Sequence, residues 1–253
     1  MQQDPTKRFS DRVANYILYR PDYPSSIVPF LESAIGLSET SVIADVGSGT
    51  GKSSAVFLEY GCPVYAVEPN GPMRLAAEEI FNAYKNFHSI NATAELTTLG
   101  DSSVDVIISG QAFHWFDPEK SRAEFRRILS DTGWVVLIWN TRNPENAPFM
   151  DAYNLFVSEY SDEYGKIYKR RTDTENFDCF FGPNAYQYHI LPNSQEFSFE
   201  GLKGRYLSSS YAFNESHPQH RVAIDRLKSI FEMYQKDGKV VMPYKTELFF
   251  GQL

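Results

Sequence analysis

Short apolar runs alternate with segments of helical periodicity along the chain as far as Asn140. Val42 to Val46, Val64 to Val67, Phe87 to Ile90, Val104 to Ser109 and Trp134 to Trp139 are of strand length and read as buried strands. Between them, 26–35, the stretch from Lys52, 72–84 and 122–129 place apolar residues at helical spacing, as with Leu75, Ala76, Ile80 and Phe81. Strand–helix alternation of this kind predicts an α/β chain with a parallel sheet and helices on both faces. From Pro144 to about Tyr211 the alternation stops and aromatics crowd in, among them Phe149, Tyr153, Phe156, Tyr164, Tyr168, Phe177, Phe180, Phe181, Tyr186 and Tyr188. This stretch, 144–211, reads as an insertion after the fifth strand, on the rim where ligands bind, and so as an acceptor lid. The same aromatics also suit a satellite core. Ser198 to Tyr206 reads as a short helix, His220 to Tyr234 as a clear one with Val222, Ile224, Leu227, Ile230 and Phe231 on one side. Val240 to Phe250, interrupted by Pro243, reads as a closing strand.

The chemistry-bearing stretch is Ser41 to Ser54, SVIADVGSGTGKSS, in which a buried strand runs into alternating glycines and then a helix. Three nucleotide-binding loops compete for it. A phosphate-binding G-x-x-x-x-G-K-[ST] loop would need glycine where Val46 stands, although Gly51, Lys52 and Ser53 supply its end. A G-x-G-x-x-G loop counted from Gly47 would need glycine at Lys52. The pattern that fits is D-x-G-x-G-x-G, with Asp45, Gly47, Gly49 and Gly51. The second strand ends in Glu68-Pro69-Asn70, and an acid about 20 residues after such a loop is placed to accept hydrogen bonds from two ribose hydroxyls.

These residues resemble the first two motifs of the class I S-adenosylmethionine-dependent methyltransferases. The resemblance implies a doubly wound, Rossmann-like sheet of seven strands with helices on both faces, a closing strand entering antiparallel beside the fifth, and a lid insertion after strand 5. It implies S-adenosyl-L-methionine as cofactor, contacted by Asp45, the loop residues Gly47, Ser48, Gly49 and Gly51, and Glu68, Pro69 and Met73. Ala94 and Glu95, after the third strand, fall where the family contacts the adenine, while a capping role competes for Glu95. The lead-in F…Y…RPxYP (Phe9, Tyr16, Arg20 to Pro24) and the stretch Gln111-Ala112-Phe113-His114-Trp115-Phe116 resemble small-molecule methyltransferases near the trans-aconitate branch. By that resemblance Tyr16 and Arg20 approach the methionine moiety, and Gln111 and Ala112 border the reacting methyl group. His114 is either a general base or a packed wall residue. Trp115, Arg142 and Tyr211 are candidates for the acceptor, Arg142 because a guanidinium matches a carboxylate bidentately. The expected acceptor is a small molecule, with a carboxylate or other oxygen as nucleophile. A protein methyltransferase and a non-catalytic adenosyl-binding protein are the alternatives.

Charge and composition narrow the partners. The net charge of −8 argues against a nucleic-acid backbone as main partner, and the chain lacks the Asn/Asp-Pro-Pro-Tyr/Phe motif of base-modifying adenine methyltransferases. Lys166, Lys169, Arg170 and Arg171 are an example of a basic cluster, read as a solvated helix end or a local patch. Two cysteines without metal-like spacing suggest a reducing compartment and no metal. The absence of a signal-peptide core or a membrane-length apolar run suggests a cytoplasmic protein. At 253 residues, one domain (1–253) suffices, with 1–35 as an N-terminal cap segment. Oligomeric state is not legible.

Overall fold

The computed structural model describes residues 17–143, 148–161, 174–182, 185–209 and 211–253. Tyr16, the basic cluster around Lys169, Tyr164 and Tyr168 lie outside them. Helix α1 (Ile27–Ile35) leads into β1 (Ile43–Val46), α2 (Lys52–Tyr60), β2 (Val64–Val67), α3 (Gly71–Ile80), β3 (Phe87–Ile90) and β4 (Val104–Gly110). A single 3-10 turn (Phe113–Trp115) precedes α4 (Pro118–Ile128) and β5 (Leu129–Arg142). Then follow α5 (Pro148–Glu159), α6 (Thr174–Phe181), β6 (Tyr186–Phe197), α7 (Phe199–Leu207), α8 (His220–Tyr234) and β7 (Val240–Gly251).

The seven strands form one sheet in the order β3-β2-β1-β4-β5-β7-β6. The strands β1 to β5 pair in parallel, and β7 enters antiparallel between β5 and β6. β1 is the hinge of the order, because the chain leaves it toward β2 and returns on its other side as β4; ligands of open α/β sheets bind at such a reversal. All four residues of β1 are buried, which is why its sequence is apolar on both faces apart from Asp45 rather than an alternation. One face of the sheet packs Ile43, Ile108, Val136 and Ile138 against α1 and α2 through Ile27, Leu31 and Phe57. The other packs Ala44, Ile107, Val135 and Leu137 against α4 and α6 through Phe125, Ile128 and Phe180. Each valine, leucine, isoleucine or phenylalanine among them, fully buried, contributes about 1.5–3 kcal/mol.

Two expectations are corrected here. The range 144–211 is not one insertion, since β6 lies inside it and forms the edge of the sheet. β6 is largely exposed along its length and carries Pro192, so it has no apolar face to show in the sequence; an edge strand tolerates both. Most of its aromatics are core. Phe149, Tyr153 and Phe156 join α7, α8 and β7 in a second apolar cluster, while Phe177 packs 4.7 Å from Phe249 and 5.3 Å from Trp139. Nor does Pro243 interrupt β7. Its carbonyl accepts the Asn143 amide at 3.0 Å, so its nitrogen also faces the β5 side, where β5 runs out and no donor is missed.

Among the described residues no helix is long and apolar enough to cross a membrane.

Candidate functional site

The loop after β1 is fastened to the end of β2. The Gly47 and Ser48 amides both donate to the Val67 carbonyl, at 2.8 and 3.2 Å. Gly47 and Gly51 are left-handed and tightly packed: a Cβ on Gly47 would stand 2.5 Å from Ala112 Cβ, and one on Gly51 2.3 Å from the Phe81 ring. Those two glycines therefore serve the contact of loop with protein. Gly49, also left-handed, would meet only Met73 Sδ, 3.7 Å away, so its outer side is the open one.

Two buried carboxylates flank the loop. Asp45 Oδ2 accepts from Ser53 Oγ at 2.7 Å and Ser54 Oγ at 2.6 Å, tying the first turn of α2 to β1, while its buried Oδ1 has no hydrogen-bond partner. Burial pushes Asp45 up to about 6; the two serine hydroxyls restrain the rise and Glu68 adds to it. Glu68 accepts from the Gly49 amide at 2.8 Å on one oxygen and from the Asn70 amide at 2.7 Å on the other. Burial raises its pKa, against the pull of those amides and Arg74. Each Glu68 oxygen keeps a lone pair beyond the bond it makes. Pro69 leads to Asn70, whose Oδ1 caps α3 by accepting from the buried Met73 amide at 3.1 Å.

The facing rim comes from β4 and β5. Gln111 sits at a positive φ of 60°, its Nε2 donating to the Asn140 carbonyl at 2.9 Å, and its buried Oε1 has no partner. Ser48 Oγ is likewise buried without one. The lead-in segment closes over both rims. The Asp22 carbonyl accepts from Asn193 Nδ2 at 2.9 Å and Asn140 Nδ2 at 3.3 Å, and the Asp22 carboxylate pairs with Lys52 at 2.6 Å. The resulting cavity is lined by Arg20, Tyr23, Gly47, Ser48, Gln111 and Arg205, among others.

Other candidates fall elsewhere. Ala94 is buried in the core, and Glu95 accepts the Asp117 amide at 3.0 Å where α4 begins. The His114 and Trp115 rings lie against one another at a tilt of 43°, centroids 4.7 Å apart, and neither lines that cavity. Arg142, at the end of β5, lies 5.4 Å from the centre of the Tyr153 ring.

The residue missed by sequence reasoning is Arg205. It projects from α7 and is only 5% exposed, with Nε donating to Tyr244 Oη at 3.1 Å and Nη1 to Ser209 Oγ at 3.2 Å. Among the described residues no carboxylate pairs with it. Burial works against its charge, yet the phenols of Tyr244, Tyr153 and Tyr211 hold its pKa above the ordinary value. Burial alone would raise Tyr211, but Arg142 and Arg205, helped by Ser209 and Arg20, bring it down to about 7; Tyr153 is pushed above its usual range by burial. Nothing local marks Arg205, since an arginine in Gly-Arg-Tyr reads as a solvated helix cation. The bonds of Ser53 and Ser54 to Asp45 were missed as well, although hydroxyls in the first turn after D-x-G-x-G-x-G are within reach of the strand-end aspartate.

Residues 44–137 match the methyltransferase domain family. The chain is 25% identical to an uncharacterized methyltransferase-like protein of Schizosaccharomyces pombe, over 98% of this chain and 96% of that one. It is 33% identical to an uncharacterized methyltransferase of Mycobacterium tuberculosis over 56% of each, so it spans little more than half the length of that relative. A solved structure from Anaeromyxobacter dehalogenans, assigned to the type II methyltransferases, shares the fold, with a TM-score of 0.63 and 20% identity over 92% of this chain and 96% of that one. A glycine loop after β1, an acid after β2 and an antiparallel β7 occur with the matching domain in one sequence, and residues 44–137 are a methyltransferase domain.

Proposed function

We propose that this enzyme methylates a small acidic molecule on a carboxylate oxygen. The observation that carries the reading is Arg205, a buried guanidinium on the wall of the cavity that opens onto Gly47 and Ser48, with no carboxylate of the described residues to balance it. A buried cation without a counter-ion is costly, and an anionic ligand relieves that cost. Arg142, next to the same phenols, strengthens the preference for an acid.

The residues present fit the cofactor. The open side of Gly49 and the spare lone pairs of Glu68 suit a ribose, and Gln111 Oε1 and Ser48 Oγ are buried polar atoms awaiting partners. Glu68 and the Gly47–Gly51 loop would hold the adenosyl part, with Met73 beside it, and Arg20 the methionine carboxylate. S-adenosylmethionine supplies, when bound, a methyl group on a positively charged sulfur. The chain's own task is to point a carboxylate oxygen at that carbon and exclude water, and the clamp of Asn140 and Asn193 on Asp22 closes the lead-in over the site for that purpose. A carboxylate acceptor is already deprotonated at neutral pH, so His114 has no proton to remove.

The test is methyl transfer from radiolabelled S-adenosylmethionine to a panel of small mono-, di- and tricarboxylic acids, with amines, phenols and peptides as controls. Base-labile product from acids, with kcat/KM lowered at least tenfold in Arg205→Met, is the expected result. Transfer confined to peptides would favour a protein methyltransferase, and cofactor binding with no transfer to any class a non-catalytic binder.

A further inference from the structure

Gln111 is anchored twice to β5. Its backbone amide donates to the Ile138 carbonyl at 2.9 Å and its Nε2 to the Asn140 carbonyl at 2.9 Å. Its backbone is turned to a φ of 60°, a left-handed conformation that is costly for a residue with a side chain. Asn140 is itself fixed: it pairs with Thr246 of β7 in the sheet, and its Oδ1 accepts from the buried Thr246 hydroxyl at 2.6 Å and from Asn193 Nδ2 at 3.2 Å. A carbonyl oxygen can only accept, so the Gln111 amide cannot turn over without setting its own oxygen against that of Asn140. Oε1 is thus kept on the other side of the amide, where it is buried without a hydrogen-bond partner in a residue that walls the cavity. Arg205 and Ser48 belong to the same wall. These side chains ask for different partners: the guanidinium only donates, the Ser48 hydroxyl donates or accepts, and Gln111 Oε1 only accepts. A carboxylate alone satisfies Arg205 and leaves Gln111 unpaired.

We propose that Gln111 is a specificity-determining residue and that the acceptor is a hydroxy acid: Arg205 takes its carboxylate, and a hydroxyl on the carbon skeleton beside it donates to Gln111 Oε1. The proposal rests on the acid-acceptor reading given above. Gln111 stands on the rim made by β4 and β5, across from Glu68 at the end of β2, and its oxygen is therefore left to the acceptor rather than to the adenosyl part. An amine also supplies a hydrogen, but as an ammonium it shares the wall with the buried guanidinium of Arg205 and is repelled by it. A hydroxyl brings the donor without the charge. An acid that lacks the donor, or carries it blocked as a methyl ether, leaves Oε1 buried and unpaired, and a site built to hydrogen-bond a hydroxyl rejects such an analogue far more strongly than an apolar wall does.

The experiment compares matched acids by calorimetry on the full chain saturated with S-adenosylhomocysteine. The pairs are lactate and propionate, 3-hydroxybutyrate and butyrate, and malate and succinate, with aspartate and methoxysuccinate as the amine and ether counterparts of malate. In at least one pair the hydroxy acid is expected to bind about tenfold more tightly than its parent acid, and malate more tightly than its amine and ether counterparts if that is the pair. Gln111→Met, close in size but without the amide, should shrink the hydroxyl preference to within about twofold. Should Gln111→Met fail to fold, the matched pairs on wild type decide alone. Parent acids that bind as tightly as hydroxy acids in every pair overturn the proposal and leave the acid-acceptor reading standing, and so does a preference for the amine. A hydroxyl preference that survives in Gln111→Met, with or without weaker S-adenosylhomocysteine binding, removes Gln111 from acceptor choice. Failure of every acid to bind overturns both readings.

Discussion

The amide of Gly49 donates to Oε2 of Glu68 at 2.8 Å, joining the one glycine whose outer side is open to the acid at the end of the neighbouring strand. Loop and acid are thus a single preformed unit, held further by the Asn70 amide on the other Glu68 oxygen. Cofactor affinity should depend on that unit as a whole.

Glu68→Ala removes a charged acceptor and should weaken S-adenosylmethionine binding by roughly 10- to 150-fold, the worth of about 1.5–3 kcal/mol for hydrogen bonds to a charged group. Calorimetry with S-adenosylmethionine and S-adenosylhomocysteine measures it, with circular dichroism checking the fold. A change below threefold would remove Glu68 from the cofactor site.

The glycines should separate by function. Gly51→Ala forces a Cβ to 2.3 Å from the Phe81 ring at a positive φ, and should cost about 2 kcal/mol or more in urea unfolding. Gly49→Ala meets only Met73 Sδ at 3.7 Å, so it should cost about 1 kcal/mol in stability while reducing cofactor affinity by the larger factor. Equal stability losses in the two variants would contradict this division.

Lys52 follows the last glycine of the loop, yet its ammonium is engaged with the Asp22 carboxylate, a largely exposed partner. Lys52→Met should therefore change stability by no more than about 1 kcal/mol and leave S-adenosylmethionine affinity within threefold. A phosphate-binding loop would lose nucleotide binding instead, and ATP serves as the control ligand.

Stability should not peak at neutral pH. Burial holds Asp45 at about 6 in the folded chain, above its ordinary 3.8, so the folded state binds a proton before the unfolded state does as pH falls. Its contribution therefore grows as pH drops through 6 and is complete below about 3.8, amounting to at most about 3 kcal/mol. Glu124 acts the other way. The Arg127 guanidinium, together with Thr97, holds it at about 2, so its contribution is present above 4.5 and is lost as pH falls toward 2. Urea unfolding at a series of pH values should give a maximum between about pH 4 and 6, and Asp45→Asn should diminish the rise from pH 6 to 4, the part left belonging to the raised carboxyl of Glu68.

The parallel half of the sheet and its glycine loop were legible because their physics is local. A doubly buried strand is a continuous apolar run, a left-handed turn demands glycine, and a strand-end acid announces itself by distance from the loop. Val42 to Val46, Gly47 to Gly51 and Glu68 needed no partner to be recognised. β6 did not have that advantage, because an edge strand half open to solvent on both faces carries no apolar period, and Pro192 reads as a breaker until its place at the edge is known. Arg205 shows the same limit from the side of function. It is buried on α7 with its Nε on Tyr244 of β7, an element far along the chain, and its charge became significant only when the fold withdrew it from water. By itself the amino-acid sequence determined the parallel strands, the glycine loop and the acid that ends β2; tertiary packing alone decided where the cations meet, because electrostatic environment is a property of neighbours in space.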